Sequence, residues 1–245
     1  MNDGLINERI LIEYINNNSF DDYTDNIKNF LFFAFEDNIN TNLPFYSDKI
    51  VGQLKPDILI KHNNVTKYIS IKKGNGNSVH QESINDFFPF IASILDDKSL
   101  EYLKLYHFGD DTLDDSGSIR YSAKECKNRY PNEIIYLNQK INDWTNLIKF
   151  LDRFLFYGNL SKISVDIVYH GTINEGHWAS KEEIINYIKN SIFHTNGVHF
   201  GPLSYQVWGR NEKKTALHPD RRYIMQIKWS SLKKDLFFIR SNKNV

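Results

Sequence analysis

The sequence predicts an α+β fold in a single domain with an added C-terminal sheet. Apolar residues near the N-terminus follow the 3–4 spacing of helices, whereas isoleucine-rich segments near residue 60 alternate as strands do. Two more strand patterns follow residue 200. The chain has 245 residues, of which 41% are hydrophobic and 14% aromatic, so it can bury a sizeable core.

Two helices are predicted to open the chain. The second is capped by Asp21 or Asp22 and runs to about Glu36. One face of the first helix carries Leu5, Glu8, Leu11, Ile12 and Ile15.

A β-hairpin is predicted next, because two alternating segments flank a tight-turn sequence. Its strands are 56–61 and 65–73, and the turn is His62-Asn63-Asn64. A break follows at Gly74–Asn77. Ser78 and Gln81 then form a capping-box pattern that predicts a helix containing Pro89, where the helix should kink or divide.

The remaining elements are predicted from periodicity and capping residues. Residues 110–117 are expected to form an exposed loop, and Ser180 with Glu183 caps a helix that ends near Phe193. The other predicted elements are a long helix over 132–156 and strands over 163–169, 203–208 and 223–229.

Polar side chains collect on one face of the predicted hairpin. A turn at Asn63-Asn64 pairs odd positions of the first strand with even positions of the second, so Asp57 shares a face with Ser70 and Lys72. The other face carries Ile58, Ile60, Ile69 and Ile71.

These residue types suit phosphodiester hydrolysis with Mg²⁺. The ion prefers hard oxygen ligands and keeps several waters, so one or two carboxylates are sufficient. We expect Asp57 to be the main ligand, Glu82 to be a second ligand, and Lys72 to be the catalytic cation that stabilises developing charge. Ser70 can hydrogen-bond to water or metal only weakly.

The sequence Pro56-Asp57, followed by Ser70-Ile71-Lys72 beginning thirteen positions after Asp57, resembles the motif of the PD-(D/E)xK nucleases, especially type II restriction endonucleases. Ser70 departs from the pattern, since an acid is usual there. Some members carry a polar residue at this position. Others carry the acid on the next helix, and Glu82 resembles such a displaced acid. Many also carry an acid on the first helix, for which Glu8 is the candidate and Glu13 and Glu36 are alternatives.

The resemblance implies an α/β/α core with a mixed central sheet flanked by helices. It implies Mg²⁺ as cofactor, held by Asp57, Glu82 and the backbone carbonyl of Ile71, and double-stranded DNA as substrate. Residues 1–160 would form the catalytic core and residues 161–245 the DNA-recognition part. A homodimer is expected, because two sites cut two strands most simply.

The C-terminal region is the predicted DNA-reading part. Residues 1–57 carry 10 acids and 4 bases, whereas residues 206–245 carry 10 bases and 3 acids, although the whole chain is neutral. Gln206 and Arg210 share a period-2 face with Trp208 and suit base edges. Phosphate contacts are expected from Lys213, Lys214, Arg221 and Arg222, and further DNA contacts from Gln81 and Lys228.

Other functional classes find little support in the sequence. A single cysteine, Cys126, excludes an internal disulfide and a cysteine zinc cluster, and the eight histidines lack metal-ligand spacing. Neither a membrane span nor a signal peptide is predicted, so a cytoplasmic protein is expected. The alternatives are another nuclease of the same superfamily, acting in repair or on RNA, and a catalytically inactive DNA-binding module.

Overall fold

The computed structural model describes residues 3–52, 54–74, 77–160, 162–208, 210 and 217–241. It confirms the predicted α+β fold, with a five-stranded mixed sheet and a four-stranded antiparallel sheet. The chain divides into two compact units, each built from separate segments. The first comprises Met1–Asn77, Leu155–Asn190 and Ser231–Val245, and the second comprises Ser78–Phe154 and Ser191–Ser230.

Sheet A belongs to the first unit, and its strands lie in the order β1-β2-β3-β5-β6. Strands β3 and β5 are parallel, and the other neighbours are antiparallel. The predicted hairpin is confirmed as β2 and β3. The strands are β1 (Tyr46–Lys49), β2 (Ile58–His62), β3 (Val65–Lys72), β5 (Ile167–Gly171) and β6 (Gly176–Ser180).

Four helices accompany sheet A: α1 (Asp3–Asn17), α2 (Asp25–Phe35), α8 (Lys181–Lys189) and α9 (Leu232–Ser241). Helix α1 packs against β1 and β3, and α9 packs against β6 and β5. Helices α1 and α2 bury their apolar stripes on the hairpin isoleucines, as hydrophobic burial favours. The capping box of Ser180 and Glu183 at the start of α8 is confirmed.

Sheet B belongs to the second unit and has the strand order β4-β9-β8-β7. Both predicted C-terminal strands are present here as an antiparallel pair, β8 and β9. The four strands are β4 (Ser78–Ser83), β7 (His199–Phe200), β8 (Leu203–Val207) and β9 (Ile224–Lys228).

Five helices complete the described part of the second unit, and several pack against one another or against sheet B. They are α3 (Ile84–Ala92), α4 (Asp97–Phe108), α5 (Ala123–Arg129), α6 (Pro131–Ile141) and α7 (Trp144–Leu151). Among the described residues, no helix combines the length and the apolar character needed to cross a membrane.

The largest error of the sequence prediction concerns residues 78–83, which form strand β4 and not the start of a helix. The cap of α3 is Ser83, whose side chain accepts a hydrogen bond from the backbone N–H of Asn85. The helix ends at Ala92, three residues after Pro89.

Two other predicted boundaries are wrong for local reasons. Thr24 caps α2, because Asp21 and Asp22 lie in a preceding 3₁₀ turn. The predicted long helix is interrupted because Asp143 caps α7, accepting a hydrogen bond from Thr145 at 3.0 Å. Residues 110–117 form a loop as predicted, with Asp111, Leu113, Asp114 and Ser116 exposed, but the Asp110 carboxylate is buried and accepts hydrogen bonds from Thr112 and Gly117.

Candidate active site

The hairpin β2–β3 positions the predicted catalytic side chains. Ile58 lies opposite Ile69, so the register places Asp57, the residue before β2, next to Ser70. The Asp57 N–H donates to the carbonyl of Ile69 at 2.9 Å and extends this pairing. The predicted separation of polar and apolar side chains onto opposite faces of the hairpin is confirmed, since the isoleucines of the opposite face are buried in the core.

One carboxylate oxygen of Asp57 accepts three hydrogen bonds. Oδ2 lies 3.1 Å from Ser70 Oγ, 2.6 Å from the backbone nitrogen of Ile71 and 3.1 Å from Lys72 Nζ. Oδ1 accepts no hydrogen bond from a described residue, and the side chain is 24% exposed. Asp57 is therefore held rigidly through one oxygen while the other can bind a ligand.

The Lys72 ammonium joins two predicted metal ligands. Its Nζ donates to Asp57 Oδ2 at 3.1 Å and to the carbonyl of Ile71 at 3.0 Å. The side chain is only 19% exposed, so the ammonium is held against the hairpin and does not extend freely into solvent. Lysine has three donors, so one N–H is left for a substrate oxygen.

Glu8 of α1 is electrostatically coupled to these residues. Burial, followed by the negative charge of Asp57, raises the pKa of Glu8, while Lys49 and Lys72 oppose the rise without cancelling it. Lys49 Nζ lies 3.6 Å from Glu8 Oε2. Helix α1 thus brings a second carboxylate into the field of Asp57, as the first-helix acid of the prediction requires.

The two alternatives to Glu8 have different surroundings. Glu13 is exposed and pairs with Arg9 on the surface of α1, with 3.6 Å between Oε1 and the guanidinium Nε. Glu36 is exposed at the end of α2, where its backbone φ is 41°. Of the three acids, Asp57, Glu13 and Glu36, it is Asp57 that is among the main causes of the raised pKa of Glu8.

Glu82 was predicted at the start of a helix but lies on a strand, where both oxygens of its carboxylate accept hydrogen bonds. It lies on β4 in the second unit, and its carboxylate accepts two hydrogen bonds from Arg153, at 3.0 and 2.6 Å. His80 Nε2 is 3.2 Å from Oε1. Burial alone would raise the pKa of Glu82, but His80 and Arg153 outweigh it and lower the pKa. Glu82 is a core ion-pair residue, because strand geometry turns it inward.

The sheet places in register with Lys72 two histidines that were set aside in the sequence because the histidines lack metal-ligand spacing. His170 of β5 lies in register beside Lys72, and His177 of β6 lies opposite His170. His170 is buried; its Nε2 is 3.0 Å from the carbonyl of Gly74, and its Nδ1 has no hydrogen-bond partner among the described residues. The position of His170 next to Lys72 could not be recognised, because the predicted strand ended at 169, one residue before His170.

Two of the predicted DNA-binding arginines are engaged within the second unit. The guanidinium of Arg210 donates to the backbone carbonyls of Tyr106, His107 and Tyr121. Strand β8 ends at Val207, so the predicted face shared by Gln206 and Arg210 does not form. Arg222 pairs with Asp110 and Asp115. These contacts give both arginines a structural role.

The other predicted DNA-binding residues are more accessible. Gln81 and Gln206 are exposed on sheet B, and Lys228 is half-buried there. Arg221 lies over the ring of Trp208 at 4.3 Å from its centroid. Lys213 and Lys214 lie outside the described residues.

Comparison with known proteins adds no family to this description. No family model matches the chain, and no curated protein matches it. The geometry of the candidate site is therefore the basis on which a function can be assigned.

Proposed function

We propose that this protein is a Mg²⁺-dependent endodeoxyribonuclease that hydrolyses phosphodiester bonds of double-stranded DNA at a short specific site, in the manner of a type II restriction endonuclease. The observation that best supports this proposal is that Ser70, Ile71 and Lys72 all donate hydrogen bonds to one oxygen of Asp57. It supports the resemblance of this hairpin to the PD-(D/E)xK motif. A cytoplasmic homodimer is part of the proposal.

The donor set of the site fits Mg²⁺. Asp57 offers Oδ1, Glu8 offers a second carboxylate, and Ile71 offers a carbonyl, all of them hard oxygens. Among the described residues, no group of three or more His, Cys, Asp and Glu side chains is arranged to hold a metal. Mg²⁺ does not require such a group, because it retains waters. A bound Mg²⁺ would polarise the phosphate and acidify a water molecule.

The protein side chains have separate tasks in this proposal. Ser70 and the Ile71 N–H fix the Asp57 carboxylate, because both donate to its Oδ2. Asp57 in turn holds the Lys72 ammonium, which neutralises charge that develops on a phosphate oxygen. Glu8 balances the local positive charge and is the second oxygen ligand. Removing any one of these groups should weaken transition-state stabilisation more than it weakens DNA binding.

The test compares Asp57→Asn and Lys72→Ala with Lys73→Ala in cleavage of phage DNA with Mg²⁺. Lys73 is the matched control, because it is the next lysine in the chain and is exposed. We expect a loss of roughly 10²–10³-fold or more in the cleavage rate for the first two variants, with DNA binding retained. Discrete wild-type bands would support a specific site. Normal cleavage by Lys72→Ala would remove this hairpin from the mechanism.

A second candidate function is a non-catalytic DNA-binding module. The observation that favours it is Ser70, which occupies the acid position of the motif and donates a hydrogen bond to Asp57. Wild-type protein that shifts DNA in a gel but leaves it uncut with Mg²⁺ or Mn²⁺ would support this module. Another nuclease of the same superfamily, acting in repair or on RNA, would instead produce a smear or cleave RNA.

A further inference from the structure

Three glutamines of sheet B lie side by side on neighbouring strands. Gln226 of β9 is directly opposite Gln81 of β4 on one side and Gln206 of β8 on the other. The whole chain contains five glutamines, so more than half of them fall in this one row. Residues directly opposite each other in an antiparallel sheet share a face, so the three amides project to the same side.

The face that carries this glutamine row is accessible. Gln81 and Gln206 are exposed and Gln226 is half-buried, whereas Glu82 and Met225, on the opposite face, are buried. The Gln226 amide donates to Ser78 Oγ at 3.0 Å. The amides of Gln81 and Gln206 form no hydrogen bond with a described residue. Each therefore offers a free donor and a free acceptor.

Positive charge flanks the glutamine row. Lys228, two residues after Gln226, lies opposite Ser78 and Ser204 on the same face. Beyond the other side of the row, Arg221 stacks on Trp208. The remaining described residues in register on this face of β4, β9 and β8 are Ser83 and Ile224, so none is acidic. A polyanion meets no acidic side chain among these strand residues and finds cations beside the amides.

We infer that the glutamine row reads adenine bases in duplex DNA, an inference that rests on the proposed function for its choice of DNA. A glutamine amide can donate to adenine N7 and accept from adenine N6 in the major groove. Lys228 and Arg221 then contact phosphates and fix the register. The row spans two strand spacings, about 10 Å. That length is close to three base-pair steps of about 3.4 Å, so neighbouring base pairs can be read together.

The first experiment identifies the bound sequence without cleavage. Full-length Asp57→Asn protein is used to select duplexes from a pool with a randomised segment, and we expect the enriched sequences to share fixed adenines. Replacing such an adenine by 7-deaza-adenine removes N7, and replacing it by N6-methyladenine alters the N6 donor. Each replacement should weaken binding of the selected duplex by roughly tenfold.

The second experiment assigns this selectivity to the row. In the same Asp57→Asn protein, Gln81→Leu and Gln206→Leu should each bind the selected duplex about tenfold more weakly and respond less to the modified adenines. Gln139→Leu is the matched control, because Gln139 is exposed on α6 of the same unit and lies outside the row. It should bind as the parent does. Retained folding is checked by circular dichroism.

The outcomes separate this inference from the proposed function. Leucine variants that bind like Gln139→Leu, or an enriched site that tolerates both modified adenines, would overturn adenine reading and leave the nuclease proposal standing. Adenine-dependent binding by a wild-type protein that cuts no DNA with Mg²⁺ would overturn the nuclease and keep the inference. Absence of duplex binding, or equal binding of single strands, would overturn the glutamine row as a duplex reader.

Discussion

Glu8 and Glu82, the two glutamates proposed as the second acid, have opposite electrostatic surroundings. Near Glu8 the charge of Asp57 is repulsive, and the nearest cation, Lys49, is 3.6 Å away. Glu82 is neutralised by a bidentate pair with Arg153. A cation placed beside Glu8 relieves repulsion between Glu8 and Asp57, whereas a cation placed beside Glu82 has to compete with the guanidinium of Arg153. The two residues should therefore respond differently to substitution.

We predict that Glu8→Gln raises the Mg²⁺ concentration for half-maximal cleavage by about tenfold or more, because it replaces a negatively charged carboxylate ligand by a neutral amide. The same change should leave the free energy of unfolding unchanged or higher, because it removes a carboxylate that is buried and repelled by Asp57. The measurements are cleavage rates over a MgCl₂ series and urea unfolding. Glu13→Gln, on the exposed side of α1, is the control and should change neither quantity.

Glu82→Gln should give the complementary result. It leaves the Arg153 side chain, which is only 14% exposed, without its carboxylate partner, so the free energy of unfolding should fall by about 3–5 kcal/mol. The Mg²⁺ concentration for half-maximal cleavage by the folded fraction should not move. A normal stability combined with a shifted Mg²⁺ requirement would return Glu82 to the role of metal ligand.

At the scale of elements, the hairpin turn determines which side chains meet Asp57. Asn63 and Asn64 have φ values of 46° and 64°, the left-handed region that a type I′ turn requires. This turn fixes the β2–β3 register from His62↔Val65 to Ile58↔Ile69. A slip by one residue would move Lys72 to the opposite face of the sheet, away from Asp57.

We predict that Asn64→Val lowers the free energy of unfolding by about 1–2 kcal/mol, because a β-branched residue is strained at positive φ. Asn64→Gly should be neutral or slightly stabilising. Thr66→Val is the control, because it introduces the same side chain within β3, where valine is favoured. Urea unfolding of the three variants measures the effect. Equal stability of Asn64→Val and Thr66→Val would contradict a turn that determines the register.

The hairpin could be predicted because its determinants are local, whereas β4 could not. Ser78 and Gln81 have the spacing of a capping box, and nothing nearby in the sequence shows that this segment pairs with β9, about 145 residues later. The true cap, Ser83, lies five residues further on. Strand pairing with β9 overrode the capping-box pattern. As a result Gln81 is exposed and Glu82 is buried.

The difference between local and long-range determinants also explains which positions around the candidate site could be predicted. Glu8 could be predicted because helical spacing placed it on the apolar face of α1. Lys49 was missed because β1 has only four residues and carries little strand pattern. Arg210 was assigned to a strand face, but the strand ends first and the C-terminal carbonyls of α4 capture its guanidinium.

At the scale of the whole molecule, the second unit consists of two insertions into the first. Residues 78–154 lie between β3 and β5, and residues 191–230 lie between α8 and α9. Sheet B needs both insertions, since β4 comes from the first and β7, β8 and β9 come from the second. The predicted division at residue 160 follows the order of the chain, whereas these units follow pairings between distant segments.

The number of basic residues in the C-terminal region overstates the positive charge that is available to DNA, because some of these residues already have protein partners. Among the described bases of the C-terminal region, four form ion pairs or hydrogen bonds with other protein groups: Arg210, Arg222, Lys233 and Arg240. Arg221 and Lys228 form no ion pair among the described residues, and they lie on the sheet that carries the glutamine row. The basic region should therefore contribute fewer phosphate contacts than its ten bases suggest.

We predict a shallow salt dependence for DNA binding. If Arg221, Lys228, Lys213 and Lys214 contact phosphates, the slope of log K against log[salt] should be about −3.6 for each bound protomer, from about −0.9 per contact. Fluorescence anisotropy with Asp57→Asn protein from 50 to 200 mM NaCl, roughly the range in which such slopes are resolved, measures it. Lys228→Gln should reduce the slope by about 0.9, whereas Arg222→Gln should lower stability and leave the slope unchanged, because Asp110 and Asp115 already pair with Arg222. A slope of about −8 or steeper per protomer would mean that the paired arginines leave their protein partners to bind DNA.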